Sequence, residues 1–316
     1  MRAVQAVVPR RPFFMERGDK MRRLLRWLVF LGIIGLAVFW FVTRPDYLDP
    51  DQFADLTGDA ARGEVIFAAT GCASCHADDA ATGAEKLVLS GGQKFPSPFG
   101  TFVAPNVSSD ANQGIGGWSQ MDFANAVMRG VSPGGQHYFP AFPWTTYNKM
   151  APADVVDLWA YMQTLPASDM ASLPHEVSFP FNIRRSLGGW KFLFENRDWV
   201  LTDVPNDQLE RGRYLVEATG HCGECHTPRN ALGGPDRSRW LAGAPNPAGK
   251  GTIPNITPAK LTWSEGDIVE YLTSGFTPEF DTAGGHMVPV IENTAKLPAE
   301  DRAAIAAYLK AVPAVE

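Results

Sequence analysis

The chain has 316 residues, 45% hydrophobic and 20% charged, a balance that excludes wholesale disorder and suggests about two domains at roughly 100–200 residues each. Its 4 cysteines are too few for a disulfide scaffold of this size. The net charge of -6 divides into +7 over residues 1–44 (nine Lys and Arg, two Asp and Glu) and -13 over residues 45–316, an acidic body that excludes nucleic-acid binding, which needs a basic face.

The first predicted element is an apolar helix. From Trp27 to Val42 the sequence WLVFLGIIGLAVFWFV carries no charge, with Arg22, Arg23 and Arg26 before it and Arg44 after it. With Leu24, Leu25 and a snorkelling Arg26 it approaches the roughly 20 residues that cross a bilayer. The basic N-terminal flank keeps that end in the cytoplasm and sends the remainder out. A cleaved signal peptide is the competing reading, but the run ends in FWFVTRPDYLDP, without the small-residue cleavage pattern. A retained anchor is therefore expected: tail 1–23, transmembrane helix 24–43 and linker 44–57. Met15 and Met21 are both candidate starts.

The four cysteines fall into one pattern used twice, Cys72-Ala-Ser-Cys75-His76 and Cys222-Gly-Glu-Cys225-His226. C-x-x-C-H is the attachment pattern of a covalent c-type haem. Two thiols on one helical turn bond the two vinyl-derived carbons of one porphyrin edge, and the adjacent histidine reaches the iron. A zinc site of four thiolates leaves both histidines unexplained, and a redox dithiol needs a βαβ context that is missing. Two haem c groups are expected, with His76 and His226 as proximal ligands. Haem attachment outside the cytoplasm agrees with an exported body.

More than the cysteine motif is repeated. ARGEVIFAATGCASCH and ERGRYLVEATGHCGECH share Arg-Gly, an apolar helical stretch and Ala-Thr-Gly, with His221 as one extra residue in the second copy. Downstream, Pro105-Asn106 matches Pro254-Asn255, and Trp118-Ser119 with Asp122 matches Trp263-Ser264 with Asp267. Each copy closes with a helix, in which Asp154, Tyr161 and Pro166 have the same spacing as Asp301, Tyr308 and Pro313. Repetition over more than 100 residues means duplicated domains rather than a short-period solenoid. The expected boundaries are 58–166 and 206–316, with a segment at 167–205 whose Phe179, Phe181, Trp190, Phe192, Phe194 and Trp199 make it too apolar for a flexible linker.

Both halves resemble class I cytochrome c domains. More closely than a single such domain, the chain resembles the multihaem cytochrome c subunits of bacterial membrane-bound alcohol and gluconate dehydrogenases. The matching words are FGTFVAPNVSSD, GIGGWSQMDFANAVMRGVSPGGQHYFPAFPWTTYNKM, FPFNIRRSLGGWKFLFEN, CGECHTPRNALGG and PNITP, within residues 58 to 313. The resemblance implies an all-α fold of two tandem cytochrome c domains behind the N-terminal helix. Those subunits usually carry three haem domains and this chain carries two.

The distal ligands follow less directly. Met287 is the only methionine after Cys225 and sits in a Gly-rich loop ahead of the last helix, with His286 as the alternative. For the first site, the resemblance implies Met150: relatives that hold Phe at the position of Phe142 place a methionine just before the helix. His137 or an open iron are the alternatives there. Trp118, Trp263 and Arg229 are candidates for haem-edge or propionate contacts.

These readings converge on a periplasmic dihaem cytochrome c, anchored in the bacterial inner membrane. It is expected to pass single electrons from a dehydrogenase to another cytochrome, an oxidase or the quinone pool. No Ser/His/Asp or paired-carboxylate arrangement marks a catalytic residue, and no nucleic acid is a partner. A dihaem peroxidase or thiosulfate-oxidising enzyme needs one open iron. A fixed subunit of a larger respiratory or photosynthetic complex differs in partner, not in chemistry.

Overall fold

The computed structural model describes residues 13–247, 249 and 251–316, with side chains from Gly18 onward. The chain divides into two units, residues 1–44 and 45–316. The first unit is helix α1, Phe13–Val42. It begins inside the stretch expected as a tail, whose first 12 residues lie outside the described ones. Within its section Gly18–Val42 an 18-residue window has a mean hydropathy of 2.2, and the side chains are exposed on every side from Gly18 to Phe41. That length and composition suit a membrane span and suit a signal sequence equally well.

The second unit contains both repeats. In the first, α2 (Ala60–Thr70) leads through Gly71 into the short attachment helix α3 (Cys72–His76). There follow α4 (Gln120–Arg129), the single turn α5 (Trp144–Tyr147) and the closing helix α6 (Pro152–Met162). The connecting segment forms α7 (Ser186–Phe194). In the second repeat, α8 (Asp207–Tyr214) continues as one wide π-type turn, Leu215–Thr219, before the attachment helix α9 (Cys222–His226). Then come α10 (Glu265–Ser274), α11 (Met287–Thr294) and α12 (Ala299–Ala311).

The repeated Trp-Ser-x-x-Asp is now explained. Ser119 accepts from Asp122 N at 3.1 Å and Asp122 accepts from Ser119 N at 3.0 Å, which starts α4. Ser264 and Asp267 start α10 with the same pair of bonds, at 3.1 and 2.9 Å. Each reciprocal pair satisfies two main-chain donors that a helix start otherwise leaves open.

The repeated Arg-Gly has an equally local cause. In each repeat the helix before the attachment turn crosses the closing helix at its glycine. A Cβ on Gly63 would sit 2.0 Å from the Asp157 carbonyl oxygen, and one on Gly212 would sit 2.1 Å from that of Ala304. Only hydrogen at Cα lets the backbones approach so closely. The preceding arginines bind the same partner helices: Arg62 donates to the nearly buried Asp157 at 2.7 Å, and Arg211 grips Asp301 through two bonds of 2.8 Å.

The fold is mostly helical, with a little sheet that hydrophobic patterning did not reveal. β1 (Lys94–Ser97) and β2 (Gly100–Val103) form an antiparallel hairpin, to which β3 (Glu176–Val177) adds from the connecting segment. β4 (Ala244–Pro245) and β5 (Thr252–Ile253) pair in the second repeat. These ladders are two to four residues long, too short to produce a readable alternation.

The connecting segment bonds to both repeats. Arg184 donates to the His137 carbonyl at 3.2 Å, and Trp190 stands edge-on to the buried Trp144 while donating to the Leu232 carbonyl at 2.9 Å. Val200 N and Leu201 N donate to the fully buried Glu217 at 2.6 and 3.0 Å, and Tyr308 Oη completes the set at 2.7 Å. Phe179 and Phe192 stay exposed.

Replacing Gly63 or Gly212 by Ala is expected to cost about 1–3 kcal/mol or more, because the new methyl forces packed main chain apart. Thermal unfolding followed by circular dichroism measures it. Glu217→Ala leaves three donors without their acceptor, the buried Tyr308 hydroxyl among them, and is expected to cost at least about 2 kcal/mol, with Glu217→Gln milder. Denaturant titration of the two variants compares them.

Candidate functional site: two haem-attachment turns

Each attachment turn follows one residue in the left-handed region. Gly71 holds φ 63° before Cys72, and His221 holds φ 42° before Cys222. That conformation suits glycine, and a side chain there is strained by about 1–2 kcal/mol. The extra residue of the second copy is thus the one that takes the glycine's place.

The histidines are set by equivalent bonds. His76 Nδ1 lies 2.9 Å from the Pro105 carbonyl oxygen, and His226 Nδ1 lies 2.8 Å from that of Pro254. A carbonyl only accepts, so Nδ1 carries the proton and Nε2 keeps its lone pair for iron. The loop that supplies each carbonyl is held by the next residue. Asn106 donates at 2.8 Å to the Ser168 and Met170 carbonyls and accepts from Ser108 N at 2.9 Å. Asn255 donates to the Val315 carbonyl at 2.7 Å and accepts from Thr257 N at 2.8 Å. The repeated Pro-Asn therefore orients the histidine through the proline and fixes the loop through the asparagine.

Burial lowers the pKa of both His76 and His226, against the opposing pull of the proline carbonyls, so both rings are neutral at pH 7, the form that ligates iron. Burial pushes the Cys72 thiol up to about 11 and the Cys222 thiol up to about 12. None of the four cysteines pairs in a disulfide. Among the described residues no group of three or more His, Cys, Asp or Glu gathers to hold a bare metal ion. Two cysteines on one turn, beside an imidazole with Nδ1 occupied and Nε2 left for a metal, fit a covalent haem and do not fit a zinc cage.

Residues 60–166 and 209–313 each match the family described as cytochrome c. The chain belongs to the cytochrome c family. It is 58% identical over 295 residues to a protein of Cereibacter sphaeroides described as "Diheme cytochrome c-type", covering 93% of this chain and 99% of that relative. It is 38% identical over 261 residues to the fructose dehydrogenase cytochrome subunit of Gluconobacter japonicus, and 32% identical over 283 residues to the gluconate 2-dehydrogenase cytochrome c subunit of Pantoea cypripedii. Those matches cover 80% and 83% of this chain but only 52% and 63% of the two subunits, which are longer. This cytochrome carries two covalently bound haem c groups and is an electron-transfer protein related to dehydrogenase cytochrome subunits.

The distal candidates both precede the closing helix of their repeat, but at different positions. Met150 lies between α5 and α6, buried in the apolar cluster of the first repeat, which also packs against Cys72. Met287 is the first residue of α11 and half-buried, outside the buried cluster that packs against Cys222. His137 is buried and His286 exposed. Trp118 packs on the first core and Trp263 on the second, while Arg229 pairs with Glu224. Sequence reasoning passed over Glu224, Thr145, Thr146 and the bonding of Tyr147. Burial alone works against the Glu224 carboxylate, but Arg229 and the two threonine hydroxyls outweigh it and hold its pKa below the usual range.

Asn106→Ala removes three hydrogen bonds from the loop that aims His76. A loss of about 1–3 kcal/mol is expected, with a smaller loss for Asn106→Asp, which keeps the acceptor. Chemical denaturation of the haem-loaded protein, followed by the Soret band, reads both.

Proposed function

We propose that this protein is a membrane-anchored dihaem cytochrome c of the periplasm that passes single electrons from a dehydrogenase to a respiratory acceptor. The observation that carries it is the duplicated site: two C-x-x-C-H turns, each with its histidine donating from Nδ1 to a proline carbonyl. In this reading Cys72 and Cys75 hold one haem and Cys222 and Cys225 the other. His76 and His226 are the proximal ligands, and Met150 and Met287 the distal ones. The domains run 58–166 and 206–316, joined by 167–205, behind a tail at 1–23, a span at 24–43 and a linker at 44–57.

When bound, each haem supplies reversible one-electron exchange at its iron. The chain's own residues do the rest. The Pro105 and Pro254 carbonyls make each imidazole a better donor and stop its rotation. A thioether from Met150 or Met287 would favour the reduced iron and raise the potential. The net charge of -13 over residues 45–316 steers this body toward basic partner surfaces. Arg22, Arg23 and Arg26, just ahead of the apolar run 27–42, favour an N-terminus inside and the haem domains outside. The dehydrogenase subunits among its relatives support a dehydrogenase as donor.

Purified protein is expected to give a pyridine haemochrome of two haem c per chain. The double variants Cys72→Ala/Cys75→Ala and Cys222→Ala/Cys225→Ala should each retain one, and a variant that keeps both overturns the attachment assignment. Carbon monoxide should bind the reduced wild type slowly and bind rapidly at one site after Met150→Ala or Met287→Ala. Unchanged binding overturns that ligand. Intact mass of the membrane fraction should include residues 24–43, and loss of them would identify a cleaved signal.

A further inference from the structure

The two attachment turns are held by each other's repeats, and in a crossed pattern. The second variable position of each C-x-x-C-H is Ser74 in the first turn and Glu224 in the second. Glu224 accepts from Thr145 Oγ1 at 2.6 Å and Thr146 Oγ1 at 2.9 Å, both on α5 of the first repeat. Ser74 Oγ accepts from Asn293 Nδ2 at 2.7 Å, on α11 of the second repeat. Helices α5 and α11 occupy the same place in the two repeats, each just before the closing helix. One leads to Met150 and the other begins at Met287.

Between the two latches lies a central contact. The Thr70 carbonyl accepts from the buried Tyr147 Oη at 2.8 Å, and Thr70 Oγ1 lies 3.3 Å from Cys72 Sγ. The His221 imidazole stands edge-on to the Tyr147 ring, centroids 6.0 Å apart at 77°, and also engages the Thr70 main chain. His221 is bonded directly to Cys222. One continuous set of contacts therefore runs from the sulfur of Cys72 through Thr70 to His221 and the main chain of Cys222. The first repeat meets the same left-handed backbone requirement with Gly71, so the His221 side chain is kept at a position where glycine is the unstrained choice.

We propose that this crossed latch couples the two haem sites, and that His221 is the positioning residue that sets the spacing between their attachment turns. Each turn is braced by the segment that carries the other site's candidate distal methionine, so a change at one site is felt at both. The exchange that this serves is a bare one-electron transfer: one site is oxidised as the other is reduced, with no proton moved and no bond made or broken. The proposal rests on the two turns being the haem-attachment sites, as read above.

The test uses the full haem-loaded protein. His221→Gly keeps the backbone conformation and removes only the ring. Haem content is measured first, so that a variant with fewer than two haems tests the attachment reading rather than this one. With both haems present and an unchanged melting temperature, pulse radiolysis is expected to show interhaem electron transfer slowed at least tenfold. An unchanged rate overturns the role of His221.

Asn293→Ala opens one latch from the side of the second repeat. Spectroelectrochemical titration, with the two sites resolved by electron paramagnetic resonance, should find the midpoints of both sites shifted. Asn293→Gln, which can still donate to Ser74, should restore part of the shift. Movement confined to the second site, or to neither, overturns the crossed coupling.

Discussion

A ring nitrogen that donates to a main-chain carbonyl cannot turn away from its metal side, and this protein makes that arrangement twice. His76 on Pro105 and His226 on Pro254 differ by only 0.1 Å in length. Much of the surrounding loop structure serves these two bonds. The carbonyl must be held at one place, so Asn106 and Asn255 tie their loops to the chain that follows each closing helix. That chain must be held in turn, so the closing helices α6 and α12 are clamped by α2 and α8 at Gly63 and Gly212. The order of dependence runs from helix crossing to loop to imidazole. A haem would contribute a large flat apolar surface, which would offset the small side-chain core of domains so rich in Gly- and Pro-containing loops.

Much of this was legible in the residues. Cys-x-x-Cys-His names its own chemistry, because few other uses demand two thiols one turn apart and an adjacent imidazole. The paired Arg-Gly, Pro-Asn and Trp-Ser-x-x-Asp words exposed the duplication, and each word proves to have a local physical cause. The Ser and Asp cap a helix, the Pro and Asn aim a histidine, and the Gly admits a crossing helix. Short-range causes leave fixed spacings, and fixed spacings are what a single sequence can reveal.

The rest was not legible for the opposite reason. Glu224 meets Thr145 and Thr146 across 79 and 78 residues of chain, and Asn293 meets Ser74 across 219. No periodicity records such a meeting. Glu224 and Ser74 fill positions in the attachment motif where any residue is allowed, so the motif itself draws attention away from them. β3 joins its hairpin through only two residues of the connecting segment. Glu217 looks like one more charge on an amphipathic helix, yet it is fully buried and accepts from the Val200 and Leu201 main chain.

The two copies agree and differ in different places. Where a residue acts inside its own repeat, the copies match: the glycine at the crossing, the proline carbonyl, the asparagine tie, the serine–aspartate cap. At two positions where the attachment turns face the other repeat they diverge: Gly71 against His221, and Ser74 against Glu224. Two identical copies related by a two-fold axis would present like to like, and a carboxylate facing the carboxylate of its twin is repulsive. Duplicated surfaces brought together in one chain are free of that constraint, because each can specialise for the other. The acid lies on one turn, and the hydroxyls that receive it lie on the opposite repeat. The strained imidazole likewise stands on one side only, where the other copy supplies Tyr147 and the Thr70 carbonyl to meet it. The asymmetry is what allows two similar domains to hold a single fixed arrangement. Interhaem electron transfer depends on that fixed arrangement, because its rate is set by a distance that the chain must not let vary.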